Sequence, residues 1–187
     1  GPQTAGFAAL GALYGKSFLI VTCDEELGSV EELAGRSLCV GLNGSDTYYA
    51  ALAILDAYGL DPDDVTFVEE SYTSAEERLK EGEIDAAIVS NSGTHSGLAA
   101  LAEETDIYLL PVEGSARDAL LEAYPWYAAG TIPGGTYAGV DEDVPAIEMT
   151  EVLIAAQGME DDTAYAIVSA IFDNAAAIAA THAKGAE

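Results

Sequence analysis

Two polar, glycine-containing loops carry the side chains of this chain best placed for chemistry. The first, Gly41-Leu42-Asn43-Gly44-Ser45-Asp46, follows an apolar run ending at Val40 and leads into a helical stretch from Thr47. A glycine-rich turn that ends at a helix N-terminus presents unpaired backbone N–H groups and the positive end of the helix dipole, a setting that binds carboxylate or phosphate. Ser45 and Thr47 add hydroxyls. The loop matches neither GxGxxG nor GxxxxGKS/T, and Ser45 or Asp46 also reads as a plain helix cap. The second loop, Ser90-Asn91-Ser92-Gly93-Thr94-His95-Ser96, again joins a strand to a helix. Two such loops predict one shared crevice, although each also reads as a cap with a surface loop, and His95 as a surface histidine.

Catalytic groupings are thin. No GxSxG elbow occurs, one histidine lies near a candidate loop, and paired carboxylates such as Glu69-Glu70 read as solvated faces. The acidic groups lack the DxDxDG spacing of a calcium loop. Cys23 and Cys39 are too few for a four-ligand zinc site and form no CxxC pair. They read as two buried thiols, or as a disulfide if the segments carrying them are adjacent strands. Neither a catalytic residue, a metal nor a cofactor is expected. The cluster Tyr124-Pro125-Trp126-Tyr127, with Tyr137, either walls a pocket or belongs to the core.

Six basic residues against 33 acidic ones give a net charge of −27 over 187 residues. Such a charge repels phosphate backbones and anionic headgroups, so nucleic acid is not an expected partner. The acid is dispersed in short groups such as Asp24-Glu25-Glu26 and Asp141-Glu142-Asp143, which reads as a solvated surface rather than a disordered tail. No apolar run is long enough for a membrane span.

Short β-rich runs alternate with helical ones. Strands are predicted at Phe18 to Val21, Ser37 to Val40, Val65 to Val68, Ala86 to Val89, Ile107 to Leu110 and Ala146 to Ala156. Between them fall a short helix opened by the capping box Ser29-Val30-Glu31-Glu32, and longer ones at Thr47 to Tyr58, Ser74 to Lys80, Thr94 to Glu103 and Ser115 to Tyr124. A last helix runs from Asp161 to about His182. From Trp126 to Pro145 the glycines and prolines predict a long functional loop or a crossover between lobes. Strict alternation predicts parallel strands with helices on both faces and a ligand beyond the carboxyl ends of the strands.

These stretches resemble the TRAP-associated extracytoplasmic immunogenic (TAXI) solute receptors of tripartite transporters. Leu33-Ala34-Gly35-Arg36-Ser37-Leu38-Cys39-Val40-Gly41 is similar to that family's LxGKxVxxG, Gly44-Ser45-Asp46-Thr47 to its GSGT, and Gly82-Glu83-Ile84-Asp85-Ala86-Ala87 to its DGxIDAA. The run from Tyr124-Pro125-Trp126-Tyr127 through Thr131-Ile132-Pro133-Gly134-Gly135-Thr136-Tyr137 is similar to YPxYxxxxIPxGxY. Asp46 departs from the pattern by standing where the family has glycine, which puts negative charge where an anion would meet bare N–H groups.

The resemblance implies an α/β fold of the periplasmic-binding-protein type II-like class, two lobes joined by hinge strands. It implies a receptor outside the cytoplasm that delivers a glutamate-like amino acid or dicarboxylate to TRAP membrane permease subunits, and not an enzyme. A sensory ligand-binding domain, or an enzyme on the same two-lobed fold, is the alternative. Members of that family are longer, so the chain is expected to be a fragment with an incomplete first lobe at residues 1–15. Residues 16–140 are then the second lobe, and 141–187 a return hinge strand and C-terminal helix. Apolar residues from Ala5 to Leu13 are expected to be exposed, favouring self-association. The expected ligand contacts are Ser45, Asp46, Thr47 and Tyr48, with Asn91, Ser92 and Tyr137.

Overall fold

Apolar residues alternate along the buried strands, and the computed structural model, which describes residues 6–181, sorts them onto the two faces of one sheet. The strands are β1 (Phe7–Thr22), β2 (Ser37–Cys39), β3 (Thr66–Val68), β4 (Ala86–Asn91), β5 (Tyr108–Leu110), β6 (Tyr127–Ile132) and β7 (Val144–Ala156). The helices are α1 (Asp46–Ala57), α2 (Tyr72–Lys80), α3 (Ser96–Glu104), α4 (Gly114–Ala123), α5 (Asp161–Asp173) and α6 (Ala175–Ala179). The chain divides into two compact units, Ser17–Met149 and a second formed by its ends, Gly1–Lys16 with Thr150–Glu187.

In the Ser17–Met149 unit, Phe18 and Ile20 of β1 face one way with Leu38 and Ile88. They pack under Ile54 and Leu55 of α1 and Leu120 of α4. Leu19 and Val21 face the other way with Cys39 and Val89, against Leu79 of α2 and Leu98 of α3. Period-two alternation thus gives both faces an apolar lining that helices cover.

The strands are not all parallel. β2 pairs in parallel with β3 and with β4, whereas β1 is antiparallel to β4 and to β5, and β6 to β7. The sheet order is β3-β2-β4-β1-β7-β6, with β5 also paired to β1. A crossover helix enforces parallel pairing only where one is present. Residues 23–36, between β1 and β2, hold just a 3₁₀ turn at Glu31–Leu33. The predicted capping box is half formed there: Glu32 Oε2 accepts from the amides of Gly28 and Ser29, but no side chain caps the turn.

The loop predicted from Trp126 to Pro145 is largely strand. Gly130 lies in β6, where a Cβ would stand 3.2 Å from that of Glu148, so the missing side chain makes room rather than breaking the strand. Pro145 lies in β7 and leaves its carbonyl to the Val112 amide at 2.9 Å. Between them Pro133-Gly134-Gly135-Thr136 is a tight turn closed by Thr136 N–H on Pro133 O at 3.1 Å, with Gly135 at φ 78°. α2 begins at Tyr72, two residues before the predicted Ser74, and is capped by Ser71. The last predicted helix is interrupted at Asn174, whose side chain donates to the Ala170 carbonyl; its end at His182 lies outside the described residues.

Cys23 and Cys39 are both free, because β4 lies between β1 and β2 and the segments carrying them are not adjacent strands. Cys39 Sγ donates instead to the Glu70 carbonyl at 3.3 Å. In the second unit an ion pair joins Lys16 to Glu151, and α5 and α6 bury no residue. Phe7, Tyr165 and Phe172 are exposed there. Among the described residues no helix is long and apolar enough to cross a membrane.

Asp85 fixes the start of β2 against β4. Its carboxylate accepts from Ser37 N at 2.7 Å and Ser37 Oγ at 2.6 Å, and Arg36 Nη1 lies 3.0 Å away. Its amide donates to Ser37 Oγ at 2.9 Å, and its carbonyl accepts from buried Thr22 Oγ1 at 2.7 Å. Partial burial works to raise the carboxyl's pKa, but the Ser37 and Arg36 bonds outweigh it and hold it below the ordinary value. Asp85→Ala leaves the Ser37 donors without their acceptor and is expected to cost about 2 kcal/mol in urea unfolding with an unchanged slope. Arg36→Ala, which removes a pair with about two-fifths of the arginine side chain in water, is expected to cost less than about 1 kcal/mol. Equal losses would mean that the ion pair, not the Ser37 bonds, holds the strands.

Candidate functional site

Because β2, β3 and β4 run parallel, their carboxyl ends reach one edge of the sheet. There each gives way to a helix: β2 through Gly41–Ser45 to α1, β3 through 69–71 to α2, and β4 through 92–95 to α3. The three caps are Ser45, whose Oγ accepts from Tyr48 N, Ser71, whose Oγ accepts from Ser74 N, and His95, whose Nδ1 accepts from Leu98 N. Each satisfies one of the amides a helix start leaves unpaired. A cleft of about 260 Å³ opens between these turns, with Ser45, Asp46, Thr47, Ser71, Ser90 and His95 on its wall.

Inside it the polar groups are knit together. Ser45 Oγ and Thr47 Oγ1 lie 3.0 Å apart. Asp46 Oδ1 accepts from its neighbour Thr47 N at 2.8 Å, and Oδ2 accepts from Ser90 Oγ at 3.1 Å, so one carboxylate spans the β2 and β4 loops. Gly41 permits this approach: a Cβ there would stand 2.2 Å from Thr47 Oγ1 and 2.9 Å from Ser45 Oγ.

His95 is half-buried rather than a surface residue. Burial lowers its pKa, with Glu76 acting weakly the other way, and the bond from Leu98 places the proton of the neutral ring on Nε2. Its ring meets that of Tyr72 edge-on at 4.9 Å. The Tyr72 hydroxyl is buried without a hydrogen-bond partner, and burial pushes its pKa far above the usual phenol range.

The fold brings Ser45, Asp46 and Thr47 together on the cleft wall and turns the other expected contacts away. The Tyr48 ring packs under α1 against Phe67 at 6.0 Å. Tyr137 is buried beneath the β4 loop, where its hydroxyl accepts from His95 N at 3.1 Å; it holds the loop from behind. The Asn91 side chain is near enough to act on the Tyr137 hydroxyl's titration, yet its buried Nδ2 has no partner in hydrogen-bonding geometry. Ser92 is half-buried in the bend that follows β4, outside the wall. Ser71 and Tyr72 line the cleft without having been singled out, and Ser90, from the second candidate loop, lines it without having been an expected contact. Ser71 repeats the position of Ser45, a serine between a strand and a helix, which is the signal that identifies it.

Gly41 and Gly44 share a left-handed φ, 80° and 81°, but an added Cβ at Gly44 meets nothing within 4 Å. Gly44→Ala is therefore expected to cost about 1 kcal/mol and Gly41→Ala about 1–2 kcal/mol more, read from denaturant midpoints. Equal costs would mean the hydroxyls yield freely. Since the folded state holds His95 below the pKa of an unfolded histidine, the unfolded chain binds more protons between the two values, and stability is lost as the pH falls below about 6.5. His95→Asn, which keeps a capping oxygen, is expected to flatten that slope; an unchanged slope would place the titration elsewhere.

The periplasmic aliphatic sulphonate binding protein SsuA from Escherichia coli superposes with a TM-score of 0.60 at 13% identity, over 95% of this chain and 50% of that one. XAC2383 from Xanthomonas citri, solved bound to ATP, gives 0.56 at 15% identity, over 93% and 59%. Protein AF1704 from Archaeoglobus fulgidus gives 0.52 at 15% identity, over 97% and 55%. At these identities the likeness shows the fold, which is of the periplasmic-binding-protein type II-like class, and the chain spans about half the length of the structures it matches. The family model that matches covers residues 3–187, and the chain belongs to the NMT1-like family.

Proposed function

We propose that the protein is a solute receptor working outside the cytoplasm, that Ser17–Met149 is its ligand-bearing lobe, and that it hands its solute to the membrane subunits of a TRAP-type transporter. The carrying observation is the convergence of three capped helix starts on one cleft lined by hydroxyls, with Ser45, Asp46 and Thr47 bridged to Ser90. Three helix starts favour an anionic group, and hydroxyls and backbone amides orient it without a lysine or arginine on the cleft wall. A glutamate-like amino acid or a dicarboxylate suits that donor set, and the TAXI-like sequence stretches support the TRAP assignment. Asn91, Ser92 and Tyr137 set the β4 loop, and Tyr48 gives α1 its amide; the direct contacts are assigned to Ser45, Asp46, Thr47 and Ser90.

His95 is not arranged as a base for a hydroxyl on the cleft wall, since its Nδ1 is engaged by Leu98. A thermal-shift screen of amino acids and dicarboxylates is therefore expected to find a solute that binds saturably and is recovered unchanged. At a hundred times its dissociation constant it should stabilise the protein by about 2.7 kcal/mol. Ser90→Ala together with Thr47→Ala should weaken that solute about tenfold or more in calorimetry. Conversion of the solute would favour an enzyme, and a screen without any response would remove the receptor reading.

A further inference from the structure

A second hollow shares Asp46 with the cleft. Its volume is about 430 Å³, and its walls are Tyr49 and Leu52 of α1, Tyr124 and Trp126 beyond α4, and Tyr127 and Met149 of the β6–β7 pair. Apart from Asp46, every lining side chain is apolar or aromatic. Yet Trp126 is 56% exposed and Tyr49 58%, although the Trp126 ring is held against Tyr124 at 5.5 Å. Two large aromatic faces kept in water around an apolar concavity carry an unfavourable hydration term that a flat ring placed between them would remove. Asp46 stands on the wall of both openings, so the polar cleft and the apolar hollow meet at one residue.

We infer that the solute carries an aromatic ring: its head is that of an α-amino acid, bound at Ser45, Asp46, Thr47 and Ser90, and its ring lies against Trp126 and Tyr49. The inference rests on the receptor reading and keeps its amino-acid head, but replaces the acidic side chain with a ring. A second carboxylate in place of the ring would give up part of its hydration and gain little from the apolar and aromatic lining. The Tyr124 hydroxyl does not meet it, being already bonded to Asp56 at 3.2 Å. An N–H of the head finds an acceptor in the Asp46 carboxylate, which also fixes the turn between the two openings.

Trp126 is the single tryptophan of the chain, so its emission reports this hollow alone. Titration with L-phenylalanine and, separately, L-glutamate keeps the head constant and varies only the side chain. Phenylalanine is expected to shift Trp126 emission to the blue and to saturate, while glutamate leaves it unchanged. Tyr49→Ala and Trp126→Ala are each expected to weaken phenylalanine binding by roughly tenfold in calorimetry. Trp126→Phe should recover most of that loss, and far-UV circular dichroism should be unaltered in all three because both side chains are largely in solvent. If glutamate or a dicarboxylate binds in calorimetry while phenylalanine does not, the ring assignment is overturned and the receptor reading stands. If the thermal screen and both titrations are flat, both are overturned. Emission already typical of a buried indole before any addition would mean that another part of the protein fills the hollow, which also overturns the assignment.

Discussion

The hydrogen bonds between Asp85 and Ser37 set the register on which the cleft depends. β2 shares only the Leu38–Ala86 and Cys39–Ala87 pairs with β4, and three pairs with β3, so the ladder itself constrains the short strand weakly. The carboxylate on Ser37 N and Oγ, the Asp85 amide on the same Oγ and the Thr22 hydroxyl on the Asp85 carbonyl bind the starts of these strands to the end of β1. With the starts aligned, the other ends of β2 and β4 reach the same level. The turns holding Gly41 and Ser90 then face each other closely enough for Asp46 to bridge them. The geometry at one edge of the sheet is thus set by a polar knot at the opposite edge, a strand length away.

That relation explains which parts of the fold were legible in the residues. Apolar alternation found β1 and β4, and glycine placement found the ends of α1 and α2, because both are local consequences of backbone sterics. Strand direction was not local. The alternation of helices and strands predicts parallel pairing, and it fails at β1, where residues 23–36 form no crossover helix, and at β6 and β7, which are joined without one. Gly130 and Pro145 misled for a related reason. Each occupies a strand because of what lies beside it, the Glu148 side chain in one case and the Val112 amide in the other, and neither partner is near in sequence.

The site was half legible on the same terms. Ser45, Asp46 and Thr47 sit in a turn whose shape is local, so their place on the cleft wall follows from the sequence. Tyr48, Asn91 and Tyr137 have the same chemical types as plausible ligand contacts, but the fold spends them on the core and on the back of the β4 loop. The stretch Ile132-Pro133-Gly134-Gly135-Thr136-Tyr137 reads as a ligand motif, and its effect here is positional. The turn at Gly134, where a Cβ would stand 2.2 Å from the Asp141 carbonyl oxygen, delivers the Tyr137 ring to the core and its hydroxyl to the His95 amide. A motif can therefore track a site closely while touching it only through a second residue.

Asp46 shifts the balance of that site from donors towards acceptors. A glycine in its place would leave the first amides of α1 to an anion, as helix starts commonly do. Here the carboxylate takes the Thr47 amide through one oxygen and the Ser90 hydroxyl through the other. In the proposed receptor an incoming acid head consequently meets fewer bare amides at α1 and depends more on the starts of α2 and α3 and on hydroxyls. The same carboxylate gives an N–H donor on the head something to meet. A molecule bearing both an acid and an amine satisfies this arrangement, whereas one bearing acids alone must set a negative group beside Asp46 in a protein whose net charge is already −27. In the proposed receptor, discrimination in this cleft rests as much on what Asp46 repels as on what the helix starts attract.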